Sequence, residues 1–260
     1  MNLKKNYLVG FLRLLAMLLW VICLPILFWV MKTLKISSYT KVPHIFHHGV
    51  CAILGFKRHF TGKLHDVRPT LYVSNHASYL DIFVLGGVPA YFIAKSEVAN
   101  WPVLGLMSRF QNTIFIERKA GKAREQLSIL KNHLQDNNSL TLFPEGTSTN
   151  GTHVESFKSS LFEAANSKAD GAQRVAIQPI TVAYADYNGQ KITEQSVRDN
   201  YAWYGKMPFA PHFFNLFLLK KVDVKVHFHQ VCYLDEFESR KQCADHCHAL
   251  VESKLAEFVN

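Results

Sequence analysis

The stretch TLYVSNHASYLDIFVLGGVPAYFIAK, residues 70–95, carries the reading of the fold. It opens on a short apolar run (70–75) and passes a polar turn holding His76 and Asp81. An apolar segment, LDIFVLGG, then leads to a second short run (90–95). Strand, helix and strand in that order form a parallel unit. Runs this apolar suit a sheet covered on both faces. The same rhythm continues outward. TIFIER (113–118) and SLTLFPEG (139–146) read as strands, with helices PVLGLMSRF and GKAREQLSILKNHLQ between them. VAIQPITVAY (175–184) and VDVKVHFHQV (222–231) read as later strands before a C-terminal helix. The alternation predicts an α/β fold, a central mostly parallel sheet flanked by helices. Ligands in such sheets bind outside the strand ends, where the polar residues of these runs collect. Residues 186–212 read as an irregular, aromatic-rich insertion able to cap that crevice.

Upstream, residues 14–31 run LLAMLLWVICLPILFWVM without a charge. That length is enough to attach the chain to a membrane, at the lower edge of what spans one. Pro25 interrupts the run, so spanning and re-entrant geometries both fit. No small-residue cleavage site follows, which sets aside a signal peptide. Residues 39–56, apolar and His-rich, suggest a second, interfacial helix. The predicted organisation is therefore an N-terminal membrane-associated helical region, 1–60, and a catalytic domain, 61–260. Charge agrees with this division. The net charge is +9, and residues 1–68 hold ten Lys or Arg against one acid, Asp66, while the remainder balances at nineteen of each. A surplus around the apolar run favours anionic membrane lipids. Basic residues beyond the run outnumber those before it, which predicts a cytoplasmic catalytic domain. Nucleic acid is not an expected partner, because no basic face with interleaved aromatics or known motif is present.

The five cysteines are odd in number and scattered, unlike a secreted disulfide framework. Cys243 and Cys247 lie beside His246 and His248, yet they also follow the apolar stripe of the C-terminal helix with Val251, Leu255 and Phe258. They are read as core residues, and no metal is expected.

The chemistry sits in Asn75-His76-Ala77-Ser78-Tyr79-Leu80-Asp81. Moving an acyl group from a thioester to an alcohol needs a base for the hydroxyl proton, and imidazole titrates near neutrality. A carboxylate five residues on can hold the ring's tautomer and stabilise the imidazolium. The substrate supplies the attacking hydroxyl, so no enzyme nucleophile is required. By itself the spacing also suits a helix N-terminus, with Ser78 or Asp81 as the cap and an exposed histidine.

Four segments in order change that balance. Asn-His-x-Ser-x-x-Asp (75–81) resembles the first motif of the glycerolipid acyltransferase family, which contains the 1-acylglycerol-3-phosphate acyltransferases. Ala94-Lys95-Ser96-Glu97 through Trp101-Pro102 and Gly105 to Phe115-Ile116-Glu117-Arg118 looks like the second motif. Phe143-Pro144-Glu145-Gly146-Thr147 looks like the third and Val175-Ala176-Ile177-Gln178-Pro179-Ile180 the fourth. The resemblance covers residues 71–182. It implies a membrane-bound enzyme with His76 and Asp81 catalytic, and with Asn75, Ser78, Lys95, Arg118, Glu145, Gly146 and Thr147 at the acceptor. Pro179 falls on the acyl-donor side. Arg118 suits a phosphate through its planar fork, or an ion pair with Glu117. Glu145 either binds an acceptor hydroxyl or pairs with Arg118.

The implied reaction takes acyl-CoA or acyl-carrier protein and a lysophospholipid, with 1-acylglycerol-3-phosphate giving phosphatidic acid, at the inner or plasma membrane of a bacterium. No cofactor is implied. One departure stands out. The third motif commonly continues with Arg after Gly-Thr, where this chain has Ser148. A cation for the acceptor headgroup is missing, with Lys158 as a replacement, and this opens other lysolipids, including lyso-ornithine lipid. A hydrolase reading lacks the Gly-x-Ser-x-Gly elbow. A silent lipid-binding protein is the remaining alternative.

Overall fold

The computed structural model describes residues 5–100, 104–117, 120–166 and 174–260. The chain begins with a long helix, α1 (Tyr7–Thr33), capped by the Asn6 side chain, which accepts from the Val9 amide at 3.0 Å. A shorter helix, α2 (Val42–Leu54), ends at Gly55, whose φ of 77° suits glycine in the left-handed region. There follow β1 (Phe56–Gly62), β2 (Thr70–Ser74), α3 (Asp81–Val84), β3 (Tyr91–Lys95), α4 (Leu104–Phe110), β4 (Ile114–Ile116), α5 (Ala123–Gln135) and β5 (Leu140–Leu142). The second half holds α6 (Ser159–Phe162), β6 (Ala176–Tyr187), β7 (Gln190–Lys191), α7 (Gln195–Arg198), α8 (Phe209–Leu218), β8 (Val222–Phe228), β9 (Cys232–Tyr233) and α9 (Arg240–Val259).

The strands form a mixed sheet in the order β1-β8-β6-β2-β5-β3-β4, with β7 and β9 also paired to β6. From β6 to β4 every step is parallel, and β8 and β9 run against β6. The ends of β2, β5, β3 and β4 therefore open on one side, where the polar residues were expected. Alternation along the strands divides the core between two layers. Tyr72, Ile180, Val182 and Tyr184 pack under α1, α2 and α3, while Leu71, Val73, Leu142 and Ile177 pack under α5 and α9. Both faces are covered, which is why β2 is buried at every position.

α1 exposes Leu8, Phe11, Leu15, Leu18, Leu19, Ile22, Ile26 and Trp29, while Gly10, Met17, Leu24 and Phe28 are buried against the domain. Both of its ends are held. The Asn6 amide donates to the Leu218 carbonyl at 3.1 Å, and the Phe28 ring meets Phe110 edge-on at 4.8 Å. Between them, Trp20 Nε1 donates to the Phe46 carbonyl at 3.0 Å.

Three expectations need correction. Residues 56–62 form β1, a parallel partner of β8 that the sequence hides, because its outer half is exposed and Lys57-Arg58-His59 breaks the apolar pattern. The sheet thus draws residues 56–60 from the segment read as anchor. The insertion is not wholly irregular: α8 begins inside it and packs against α1. Finally, a proline within a strand ordinarily marks an edge or bulge, yet Pro179 lies in β6, an interior strand between β2 and β8. The proline is tolerated where β6 changes partner. Pairing to β9 ends at Ile177, pairing to β8 starts at Ile180, and the Pro179 carbonyl accepts from the His229 amide at 3.0 Å.

Candidate active site

β2 ends at Ser74, and the chain then turns through residues 75–80 into α3. Asn75 fixes where the turn starts. It is 1% exposed, its Nδ2 donates to the Val182 carbonyl at 2.9 Å, and its Oδ1 accepts from the Val182 amide at 2.8 Å. Expected at the substrate, Asn75 is instead bonded through both amide atoms to β6.

His76 follows, 22% exposed at its side chain. Its Nδ1 lies 2.9 Å from Asp81 Oδ2. A carboxylate only accepts, so the proton sits on Nδ1 and the Nε2 lone pair is left for a substrate. The ring stacks on Phe143 at 4.1 Å with 19° between planes.

Asp81 is fully buried and fully bonded. Oδ2 accepts from His76 Nδ1, the Ala77 amide at 2.8 Å and the Ser78 amide at 2.9 Å, and Oδ1 accepts from the Tyr184 hydroxyl at 2.8 Å. Four donors around one carboxylate explain how it is buried without a cation partner. The helix-cap reading fails here: α3 has Leu80 at its N-cap with no side-chain cap, and the Asp81 oxygens turn back to the preceding amides. Ser78 is also fully buried, and its hydroxyl has no partner among the described residues. Burial and the adjacent Asp81 carboxylate hold the Tyr184 hydroxyl far above the ordinary phenol range, so it stays a donor.

The turn after β5 supports the base from the other side. Glu145 Oε1 accepts from the His76 amide at 2.5 Å, and Oε2 accepts from the Glu155 amide at 2.7 Å. Glu145 was expected at an acceptor hydroxyl or on Arg118, but here it is 4% exposed and clamps backbone. Burial raises its pKa to about 8, against the pull of the two amides. The Thr149 amide adds a third tie, donating to the His76 carbonyl at 2.9 Å. Gly146 takes φ of 73°, a left-handed conformation that favours glycine, and Lys158 Nζ lies against the turn. Thr147 is exposed beside it.

Ser148, in the position of the missing arginine, donates through Oγ to the Trp203 carbonyl at 2.6 Å. The Trp203 amide in turn donates to the Ala77 carbonyl at 2.8 Å. The insertion is thus tied across the third motif to the first. Its aromatic residues gather at Tyr79, whose ring meets Trp203, Phe209 and His212 and whose hydroxyl lies 3.0 Å from His212 Nδ1.

Lys95 closes β3 at the same end of the sheet, exposed and 3.0 Å from Glu97. Arg118, Trp101 and Pro102 lie outside the described residues. Glu117, read as a partner for Arg118, pairs with Lys122 at 3.2 Å. Pro179 is buried within the sheet. The structure therefore gathers His76, Asp81, Glu145, Gly146 and Thr147, with Lys95 at the same strand ends. Sequence reasoning missed Tyr184, a phenol among the buried residues of β6, and gave no role to Phe143 within the third motif.

A carboxylate-braced imidazole at the strand ends of an α/β sheet, with a long apolar helix on its flank, defines a membrane-associated enzyme that activates a hydroxyl. Residues 56–183 match the family model described as Acyltransferase. A lyso-ornithine lipid O-acyltransferase of Brucella abortus (strain 2308) is 36% identical over 230 residues, covering 85% of this chain and 86% of that protein. A 1-acyl-sn-glycerol-3-phosphate acyltransferase of Neisseria gonorrhoeae is 34% identical over 176 residues, covering 67% of this chain and 64% of its own. The crystal structure of the 1-acyl-sn-glycerophosphate acyltransferase PlsC from Thermotoga maritima shares the fold, with a TM-score of 0.69 at 19% identity, over 97% of this chain and 95% of that one. This chain belongs to the acyltransferase family, and it is an acyltransferase.

Proposed function

We propose that the protein esterifies the free hydroxyl of a lyso-ornithine-type lipid at a membrane surface, taking the acyl group from acyl-CoA or acyl-carrier protein. The observation that carries the chemistry is the 2.9 Å bond from His76 Nδ1 to a buried, four-donor Asp81. His76 Nε2 removes the acceptor's proton as its oxygen attacks the thioester carbonyl, and Asp81 stabilises the imidazolium so formed. The C–S bond then breaks, and the imidazolium returns the proton to the departing thiolate. Neither step calls on a metal or redox cofactor.

Two observations favour an acceptor without phosphate over the 1-acylglycerol-3-phosphate first expected. Ser148 stands where an arginine would meet a phosphate, and its hydroxyl is committed to Trp203. The Brucella relative matched along most of its length is a lyso-ornithine lipid O-acyltransferase. Lysophosphatidate stays as the second reading because Lys158, exposed and against Gly146, supplies one cation near the turn. The Neisseria relative supports it too.

The acceptor is reached from the bilayer. α1 is packed on the domain at both ends, which favours a helix lying in one leaflet over one that leaves the domain to span. The basic N-terminal region favours an anionic, cytoplasmic leaflet. The test is an acceptor panel with one acyl-CoA and one acyl-carrier protein, in mixed micelles. Lyso-ornithine lipid should be the best substrate by kcat/KM, and a preference for lysophosphatidic acid would return the assignment to the second reading. Unchanged acyl transfer by His76→Ala would overturn the mechanism itself.

A further inference from the structure

On the α9 face of the sheet, three cysteines from two segments meet. β9 delivers Cys232 opposite Ile177 of β6, and α9 delivers Cys243 and Cys247 one turn apart. They are 6%, 0% and 0% exposed, none is in a disulfide, and their sulfurs all lie within 4.8 Å of one another. Cys232 Sγ and Cys247 Sγ are 3.8 Å apart. The histidines that the sequence sets beside Cys247 turn elsewhere. His246 is exposed against the Phe237 ring at 5.3 Å, and His248 Nε2 lies 3.0 Å from the Val154 carbonyl.

Cysteines that merely fill a core have no reason to bring their sulfurs together, because a thiol is a weak donor and a weak acceptor. A strand thiol facing two helix thiols at i and i+4 is what a thiophilic cation requires. Tetrahedral bonds of about 2.3 Å to zinc put sulfurs about 3.8 Å apart, the separation of Cys232 and Cys247 here, with all three sulfurs within 4.8 Å. An all-sulfur donor set selects soft or borderline ions and rejects magnesium and calcium. Charge decides between candidates. Three thiolates around a divalent ion leave one negative charge in an apolar core that also holds Ile177 and Val251, whereas a monovalent ion leaves two, and burial penalises the second more.

We propose that Cys232, Cys243 and Cys247 form a three-thiolate site for a thiophilic d10 cation, zinc foremost, that fastens α9 to β9. This departs from the expectation of core cysteines without metal. Each thiol gives up its proton as its sulfur–metal bond forms, so one ion releases three protons with no change of oxidation state, and a fourth ligand comes from outside the set. The role is structural. Cys232 pairs beside Ile177, which is level with Leu71 near the start of β2, whereas His76 follows the strand's other end.

The test uses the full-length protein in detergent, purified without chelator or polyhistidine tag and analysed by plasma mass spectrometry. About one zinc per chain is expected. Cys243→Ser and Cys247→Ser should each lower it at least tenfold, while Cys23→Ser, on the exposed face of α1, leaves it unchanged. In the second arm, reduced, metal-stripped wild type is titrated with Co2+. A thiolate-to-cobalt charge-transfer band should saturate at one equivalent and vanish on adding Zn2+. Stoichiometric copper in place of zinc would support the site and change the ion. Two results would overturn the proposal: folded wild type that carries neither zinc nor copper and gives no charge-transfer band, or a native Cys232–Cys247 disulfide on non-reducing peptide mapping. The wild-type titration stands even if the serine variants fail to fold.

Discussion

Replacing Asp81 by asparagine separates charge from geometry at the catalytic turn. An asparagine whose oxygen takes the place of Oδ2 still accepts from His76 Nδ1 and from the Ala77 and Ser78 amides, and its nitrogen can donate to the Tyr184 hydroxyl oxygen. The turn keeps its shape and His76 keeps its proton on Nδ1. What disappears is the negative charge beside an imidazolium that exists only after proton removal. With charge centres about 4 Å apart and an effective dielectric of about 20, that interaction is worth about 4 kcal/mol. At 1.36 kcal/mol per decade, kcat should fall roughly 1,000-fold, a loss confined to the transition state. KM for donor and acceptor should move by less than about threefold, because neither substrate meets the Asp81 carboxylate. The assay is transfer of labelled acyl groups to the acceptor in mixed micelles, with circular dichroism and a thermal melt confirming the fold. A variant within about tenfold of wild type in kcat, or one whose loss lies wholly in KM, would refute the assignment of Asp81 as the charge behind the base.

Four further outcomes are expected. Tyr184→Phe leaves Asp81 Oδ1 without a donor and should cost about 1–3 kcal/mol of stability, read by chemical denaturation. Glu145→Gln can present only one oxygen to the His76 and Glu155 amides, so it should destabilise the fold by a similar amount, about 1–3 kcal/mol. Its pH dependence should also flatten. With a folded pKa of about 8 and an ordinary carboxyl in the unfolded chain, the native state binds the extra proton, so wild-type stability from this group falls as pH rises through that interval, and melts at pH 5 and pH 8.5 compare the two proteins. Ser148→Arg releases Trp203 and adds a cation, and it should shift kcat/KM toward lysophosphatidic acid in a two-acceptor competition. The pair Leu19→Lys and Ile22→Lys charges the exposed face of α1, and co-sedimentation with anionic vesicles should drop at least tenfold, since each charge costs about 2.5–3.5 kcal/mol in hydrocarbon.

The parts of this molecule that announce themselves in the sequence are those governed by local chemistry. Strands β2, β5 and β6 were legible because burial on both faces leaves mainly apolar runs. The His76–Asp81 pair was legible because both partners belong to one turn. What stayed hidden depends on distant segments. β1 earns its strand conformation from pairing with β8, more than 160 residues later, and its own residues look like a basic loop. Glu145 looks like a substrate ligand until its two oxygens are seen on backbone amides from residues 76 and 155. Tyr184 completes Asp81 from 103 residues away. Cys232 was set apart from Cys243 and Cys247 because spacing along the chain does not reveal that β9 folds back against α9.

The attachment of α1 at both ends has a consequence for how the chain is made. Its partners at the amino end, the carbonyls of Leu218 and Leu219, receive the Asn6 amide and the Arg13 guanidinium, the latter across 206 residues. The ribosome therefore releases this apolar helix some 206 residues before the groove that receives its amino end. At about 5–20 residues per second, that interval lasts ten seconds or more. A helix that enters lipid during that interval has to be drawn back against α8 before the domain can close. An insertion deep enough to be irreversible would strand the helix, so the return of Gly10, Met17, Leu24 and Phe28 to the domain surface is also a condition for completing the fold.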